Sequence, residues 1–71
     1  MADSPPRLSV VIPAYNEASR IERTLERAVE YLNARGEPYE ILVVSDGSDD
    51  DTEAIVQRFA ERAPQVRLLA Y

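Results

Sequence analysis

The chain has no cysteine and no histidine, so neither a disulfide framework nor a Cys/His metal cluster can hold it together. Stability must come from packing. With 71 residues there is room for one small domain, and a chain of this size buries only about 60% of the surface its unfolded form exposes. Lack of cysteine fits a reducing compartment without requiring one. Lysine is missing too: the eight basic residues are all arginine, against thirteen acidic ones, for a formal charge of −5. That balance argues against nucleic acid or an anionic membrane surface as the default partner, and a diphosphate ligand would need local positive groups. Glycine occurs only twice, as Gly36 and Gly47, too far apart for a phosphate-cradling loop or a dinucleotide fingerprint. No apolar stretch approaches the roughly 18 to 20 residues that span a bilayer, and the start MADSPPRLS has no hydrophobic secretory segment. The expected location is cytoplasmic, with any membrane attachment supplied by C-terminal regions outside this chain.

What is present alternates between two periodicities. Met1 to Arg7, with Pro5 and Pro6, reads as a disordered lead-in. Leu8 to Ile12 is apolar and β-branched, ends at Pro13 and lacks polar alternation, as expected for a strand buried on both faces. Beyond the polar turn Tyr15-Asn16-Glu17, residues Ile21, Leu25, Ala28, Val29 and Leu32 fall on one helical stripe opposite Arg20, Glu22, Arg23, Glu26, Arg27 and Glu30. Ser19 with Glu22 forms a capping box, Asn16 being the other candidate cap, and Gly36 with Pro38 supplies the stop. Tyr39 to Val44 predicts a second strand, followed by the acidic loop Asp46 to Asp51. A second helix is expected from about Thr52 to Ala63, with Ile55, Val56 and Phe59 inward, Asp50 and Glu53 as a cap pair, and Pro64 closing it. Val66 to Tyr71 predicts a third strand.

Strand, helix, strand, helix, strand with continuous apolar strands is the signature of an α/β fold with a parallel sheet and right-handed crossovers. If the strand order is sequential, both helices lie on one face. The other face would then be bare Val, Ile and Leu, whereas parallel sheets are normally covered on both sides. Residues 8 to 71 are therefore read as the incomplete N-terminal part of a larger domain. Homodimerisation through the bare face is the alternative.

Ligands of open parallel sheets gather at the carboxyl ends of the strands, beside helix N-termini. Both polar clusters fall there: Pro13-Ala14-Tyr15-Asn16-Glu17 after the first strand, and Ser45-Asp46-Gly47-Ser48 after the second. The Asp46 carboxylate can accept a hydrogen bond from a ring N–H or a ribose hydroxyl, or serve as an ordinary turn aspartate before glycine. Tyr15 can stack on a base or pack across its loop. Glu17 can bind a ligand or favour the start of the first helix through its charge. Asp49 to Asp51 reads as a solvated, helix-capping run. It does not match a calcium loop, in which glycine follows the acidic positions it here precedes.

The segments LSVVIPAYNEASRI and YEILVVSDGSDDDT, about twenty helical residues apart, together resemble the opening of family-2 glycosyltransferases. The dolichyl-phosphate glucosyltransferase and mannosyltransferase type is the nearest in flavour, and the resemblance covers residues 8 to 71. It implies a three-layer-type Rossmann-like parallel sheet, the β-α-β-α-β N-terminal portion of a GT-A nucleotide-sugar-binding domain. It also implies that Pro13, Tyr15 and Glu17 surround the base and ribose of a UDP- or GDP-hexose, and that Asp46 contacts the base. Ser45 stands where the family usually has a first aspartate. The Asp-x-Asp motif that holds Mg²⁺ or Mn²⁺ on the donor diphosphate is absent here, as is the catalytic base, so no catalytic residue or metal ligand is assigned and the chain alone is expected to be inactive. The parent would transfer a hexose to an acceptor such as a polyprenyl or dolichyl phosphate. A non-catalytic nucleotide-binding or protein-interaction module is the competing reading.

Overall fold

The computed structural model describes residues 8–47 and 50–70. The lead-in expected before Leu8, together with Ser48, Asp49 and Tyr71, lies outside the described residues. Five elements follow in order: β1 (Leu8–Ala14), α1 (Ile21–Arg35), β2 (Tyr39–Ser45), α2 (Thr52–Arg62) and β3 (Val66–Ala70). The strands form one parallel sheet in the order β1-β2-β3.

One face of this sheet carries the core. Ile41 and Val43 of β2 are fully buried, and Ala14 and Val66 nearly so, against Ile21, Leu25 and Leu32 of α1 and Val56 and Phe59 of α2. Sequential order with right-handed crossovers brings both helices to the same side. Each fully buried side chain of the size of Leu25 contributes about 1.5–3 kcal/mol of transfer free energy. With so few of them, no single one is dispensable.

The opposite face stays open among the described residues. Register aligns Val11 with Leu42 and Arg67, and Pro13 with Val44 and Leu69. Val11 is 59% exposed and Leu69 43%, while Leu42 and Val44 are half-buried. The bare face expected from sequential order is thus present. The expectation that the first strand is buried on both faces is not met: β1 alternates, with Val10, Ile12 and Ala14 toward the helices and Ser9, Val11 and Pro13 exposed. An apolar run records what a strand can bury. It does not record what is there to cover it.

Element ends also differ from the periodicity reading. β1 runs through Pro13 to Ala14, which an edge strand tolerates because proline's missing N–H need not remove a ladder bond there. The capping box of Ser19 with Glu22 does not form: Arg20 occupies the cap position without a side-chain cap bond, and Glu22 pairs with Arg62 across the helices at 3.1 Å. The Glu17 carbonyl instead accepts the Arg20 and Ile21 amides at 2.9 and 2.8 Å, so the first turn is wound from residues further upstream. The stop occurs as expected. Gly36 sits at φ 76° and its N–H bonds the Asn33 carbonyl at 3.2 Å, a left-handed closure that suits a residue without Cβ.

Helix α2 ends at Arg62, where the Ala63 amide reaches the Phe59 carbonyl at 3.1 Å before Pro64. Arg62 lies 4.7 Å from the centroid of the Phe59 ring and pairs with Glu22 and, at 3.9 Å, with Glu26. Such exposed pairs contribute little to stability; they align α1 against α2. Among the described residues no helix is long and apolar enough to cross a membrane.

Candidate nucleotide site

The pairing of Ala14 with Ser45 closes the β1–β2 ladder at its carboxyl end. Tyr15 and Asp46 are the next residues on each strand, so their chains leave the sheet side by side, at the roughly 4.8 Å spacing of neighbouring strands. Both side chains are exposed, Tyr15 at 57%. A ring face and a carboxylate thus stand free at one edge, where open parallel sheets take their ligands. Pro13, one residue upstream of Ala14, is exposed on the open face.

Glu17 is differently engaged. Its carboxylate accepts from Arg20 Nε at 3.0 Å and Nη2 at 2.6 Å, a bidentate local pair in which the arginine side chain is 75% exposed and the glutamate 32%. This pair sits at the start of α1. That pair also keeps a guanidinium at the loop, the kind of positive group a diphosphate would need.

Between Tyr15 and Glu17 the chain turns through Asn16 at φ 51°, the one left-handed non-glycine residue among those described. Asparagine tolerates this region better than most residues. Gly47, directly after Asp46, has φ 71°, and its lack of a side chain permits the matching turn in the second loop.

The two loops are joined by Asp50 and Thr52. The Glu17 amide donates to Thr52 Oγ1 at 2.8 Å, and the Ala18 amide donates to Asp50 Oδ2 at 3.1 Å. The Thr52 amide donates to Asp50 Oδ1 at 3.0 Å, and the Thr52 hydroxyl donates to the same oxygen. These bonds, the Thr52 hydroxyl's first among them, hold the Asp50 carboxyl below the ordinary aspartate range. The expected cap pair of Asp50 with Glu53 is therefore half right. Asp50 does serve the first turn of α2, but Glu53 turns inward and accepts the Ser45 hydroxyl at 2.9 Å. Local spacing gives no signal for that contact, which needs β2 and α2 already packed together.

The described residues contain no group of three or more His, Cys, Asp or Glu side chains arranged to hold a metal ion. They do not fit a divalent cation, and no metal chemistry is assigned to them.

The fold defines the class: a Rossmann-like α/β unit with its polar loops at the ligand edge of a parallel sheet. The model of Glycosyl transferase family 2 matches residues 9–70, and the chain belongs to that family. A dolichyl-phosphate beta-glucosyltransferase of Trichomonas vaginalis is 47% identical over 64 residues, covering 83% of this chain and 19% of the relative. One from Mus musculus is 38% identical over 66 residues, covering 84% and 20%. Among solved structures, the mannosyltransferase PcManGT from Pyrobaculum calidifontis, in complex with GDP-Man and Mn²⁺, matches with a TM-score of 0.75 at 35% identity, covering 96% of this chain and 20% of that one. The chain spans about a fifth of the length of these relatives.

Proposed function

We propose that this chain is the donor-base portion of a hexosyltransferase, an enzyme that moves a hexose from a nucleoside diphosphate sugar to an acceptor. The observation that carries the reading is the juxtaposition of Tyr15 and Asp46 just past the Ala14–Ser45 pair, inside the segment matched by the family. In this reading Tyr15 stacks on the base and Asp46 accepts a ring N–H or ribose hydroxyl. Pro13 and Glu17 border the same nucleoside. Residues 8 to 71 act as the N-terminal part of a larger catalytic domain.

The reading takes a UDP- or GDP-hexose as donor and a dolichyl or related polyprenyl phosphate as acceptor; the relatives' names, dolichyl-phosphate glucosyltransferases and a mannosyltransferase bound to GDP-Man, support a nucleotide sugar and a lipid phosphate in these places. Mg²⁺ or Mn²⁺ belongs to the reading as the charge partner of the diphosphate, held by residues other than those described. A lipid acceptor also makes membrane association of the working enzyme part of the proposal, with the nucleotide edge on the cytoplasmic side. The competing module, dimerising through its open face, is not favoured, because the matched relatives are transferases.

The test supplies the naturally expressed protein with dolichyl phosphate, Mn²⁺ and labelled UDP-glucose or GDP-mannose. Label extractable into the lipid phase with one donor is the expected result. No transfer from either donor would overturn the proposal.

A further inference from the structure

The hydrogen bonds among Glu17, Ala18, Asp50 and Thr52 form a relay with a direction. The Thr52 hydroxyl gives its proton to Asp50 Oδ1 and uses a lone pair to receive the Glu17 amide, while the other Asp50 oxygen receives the Ala18 amide. Thr52 is fully buried at the first position of α2, and Asp50 is exposed at its entrance. The amides they hold immediately follow the left-handed turn at Asn16. Asparagine tolerates such a turn, and the hydrogen bonds to the next two amides hold the chain that leaves it. Both of those acceptors lie on the second loop, 32 to 35 residues away in sequence.

We propose that Asp50 and Thr52 are positioning residues for nucleoside binding: they fix the Tyr15–Glu17 loop against the N-terminus of α2 so that Tyr15 and Asp46 are presented together. The proposal rests on the nucleotide-binding reading above. Neither residue touches the nucleoside; both act through the Glu17 and Ala18 amides. A loop already held in its bound shape loses less conformational freedom on binding, and this is where the affinity gain arises. The ionised state of Asp50 matters to it, since only the carboxylate offers acceptors to both the Ala18 amide and the Thr52 hydroxyl at once.

The experiment titrates UDP and GDP into the naturally expressed protein and into Thr52→Val, Thr52→Ser and Asp50→Asn, and follows amide exchange at Glu17 and Ala18 in the same samples. Thr52→Val keeps the buried shape and removes the relay; Thr52→Ser keeps the relay. The expected result is binding weakened about tenfold in Thr52→Val, near-parental binding in Thr52→Ser, and faster exchange at Glu17 and Ala18 while Ile41 and Val43 stay protected. Should Thr52→Val not fold, Asp50→Asn, altered at an exposed carboxylate, carries the test with the same expectation. Unchanged affinity in the folded variants, or unchanged exchange at the two amides, overturns the proposal. Failure of the parental protein to bind either UDP or GDP removes the nucleotide reading itself, an outcome distinct from a loss confined to the variants.

Discussion

The Ser45 hydroxyl, fully buried at the end of β2, donates a 2.9 Å hydrogen bond to the Glu53 carboxylate on the first turn of α2. At this position the serine supplies a donor that an aspartate would not. Next to the half-buried Glu53, a second carboxylate would face a like charge. Ser45→Asp is therefore expected to destabilise the fold by about 1–3 kcal/mol at neutral pH, through like-charge repulsion and a lost donor. Adding Glu53→Gln should restore most of the loss, measured by urea unfolding of the single and double variants. Equal loss with and without Glu53→Gln would show that the two side chains are not coupled.

Asp50 gives a pH dependence of definite sign. Its carboxyl titrates below the ordinary aspartate value of 3.8, chiefly because the Thr52 hydroxyl bonds to the ionised form. A group with a depressed folded pKa contributes stability that is present above its unfolded value and is lost as pH falls through the folded one. The stability difference between the parental protein and Asp50→Asn should stay flat from about pH 7 to pH 5 and shrink only below the ordinary aspartate value. Unfolding curves across that range check it; a difference that grows on acidification would contradict it.

The core makes the third prediction. Leu25 has no exposed surface and belongs to the core cluster that α1, α2 and the sheet share. Leu25→Ala should cost about 2–5 kcal/mol, enough to leave so small a domain largely unfolded, as judged by loss of cooperative melting. Tyr31, on the same helix but 64% exposed, should accept alanine with a change within about 0.5 kcal/mol.

Exposure also separates the two faces of β1 and β2. Val11→Thr, on the open face where Val11 is 59% exposed, should change stability by no more than about 0.5 kcal/mol. Val43→Thr, fully buried beneath the helices, should cost about 1–3 kcal/mol because the new hydroxyl is cut off from water. Thermal midpoints of the two variants, measured side by side, decide the point. Equal effects would mean that the open face is covered in solution.

Much of this was legible in the sequence for identifiable reasons. The stripe of Ile21, Leu25 and Leu32, the stop at Gly36 and the apolar strands follow from periodicity and backbone chemistry, and the structure shows each of them. The placement of Tyr15 and Asp46 at one edge follows from parallel topology alone. Long-range contacts were not legible. The capping box at Ser19 was a sound local motif, yet Glu22 found Arg62 forty residues away, and Glu53 chose Ser45 over the start of its own helix. The acidic run at Asp50 looked like solvated capping because its partners, the Glu17 and Ala18 amides, come from the other loop. Local signals rank a side chain's options. Tertiary packing selects among them.

The central claim is that the paired loops at the ends of β1 and β2 bind a nucleoside, and its most direct test is calorimetric titration of UDP and GDP into the naturally expressed protein and its Asp46→Ala variant. The account predicts saturable binding of at least one nucleotide by the parental protein, and its loss, by about tenfold or more, in a variant that melts at the parental temperature. Binding of neither nucleotide, or equal binding by the folded Asp46→Ala variant, would contradict it.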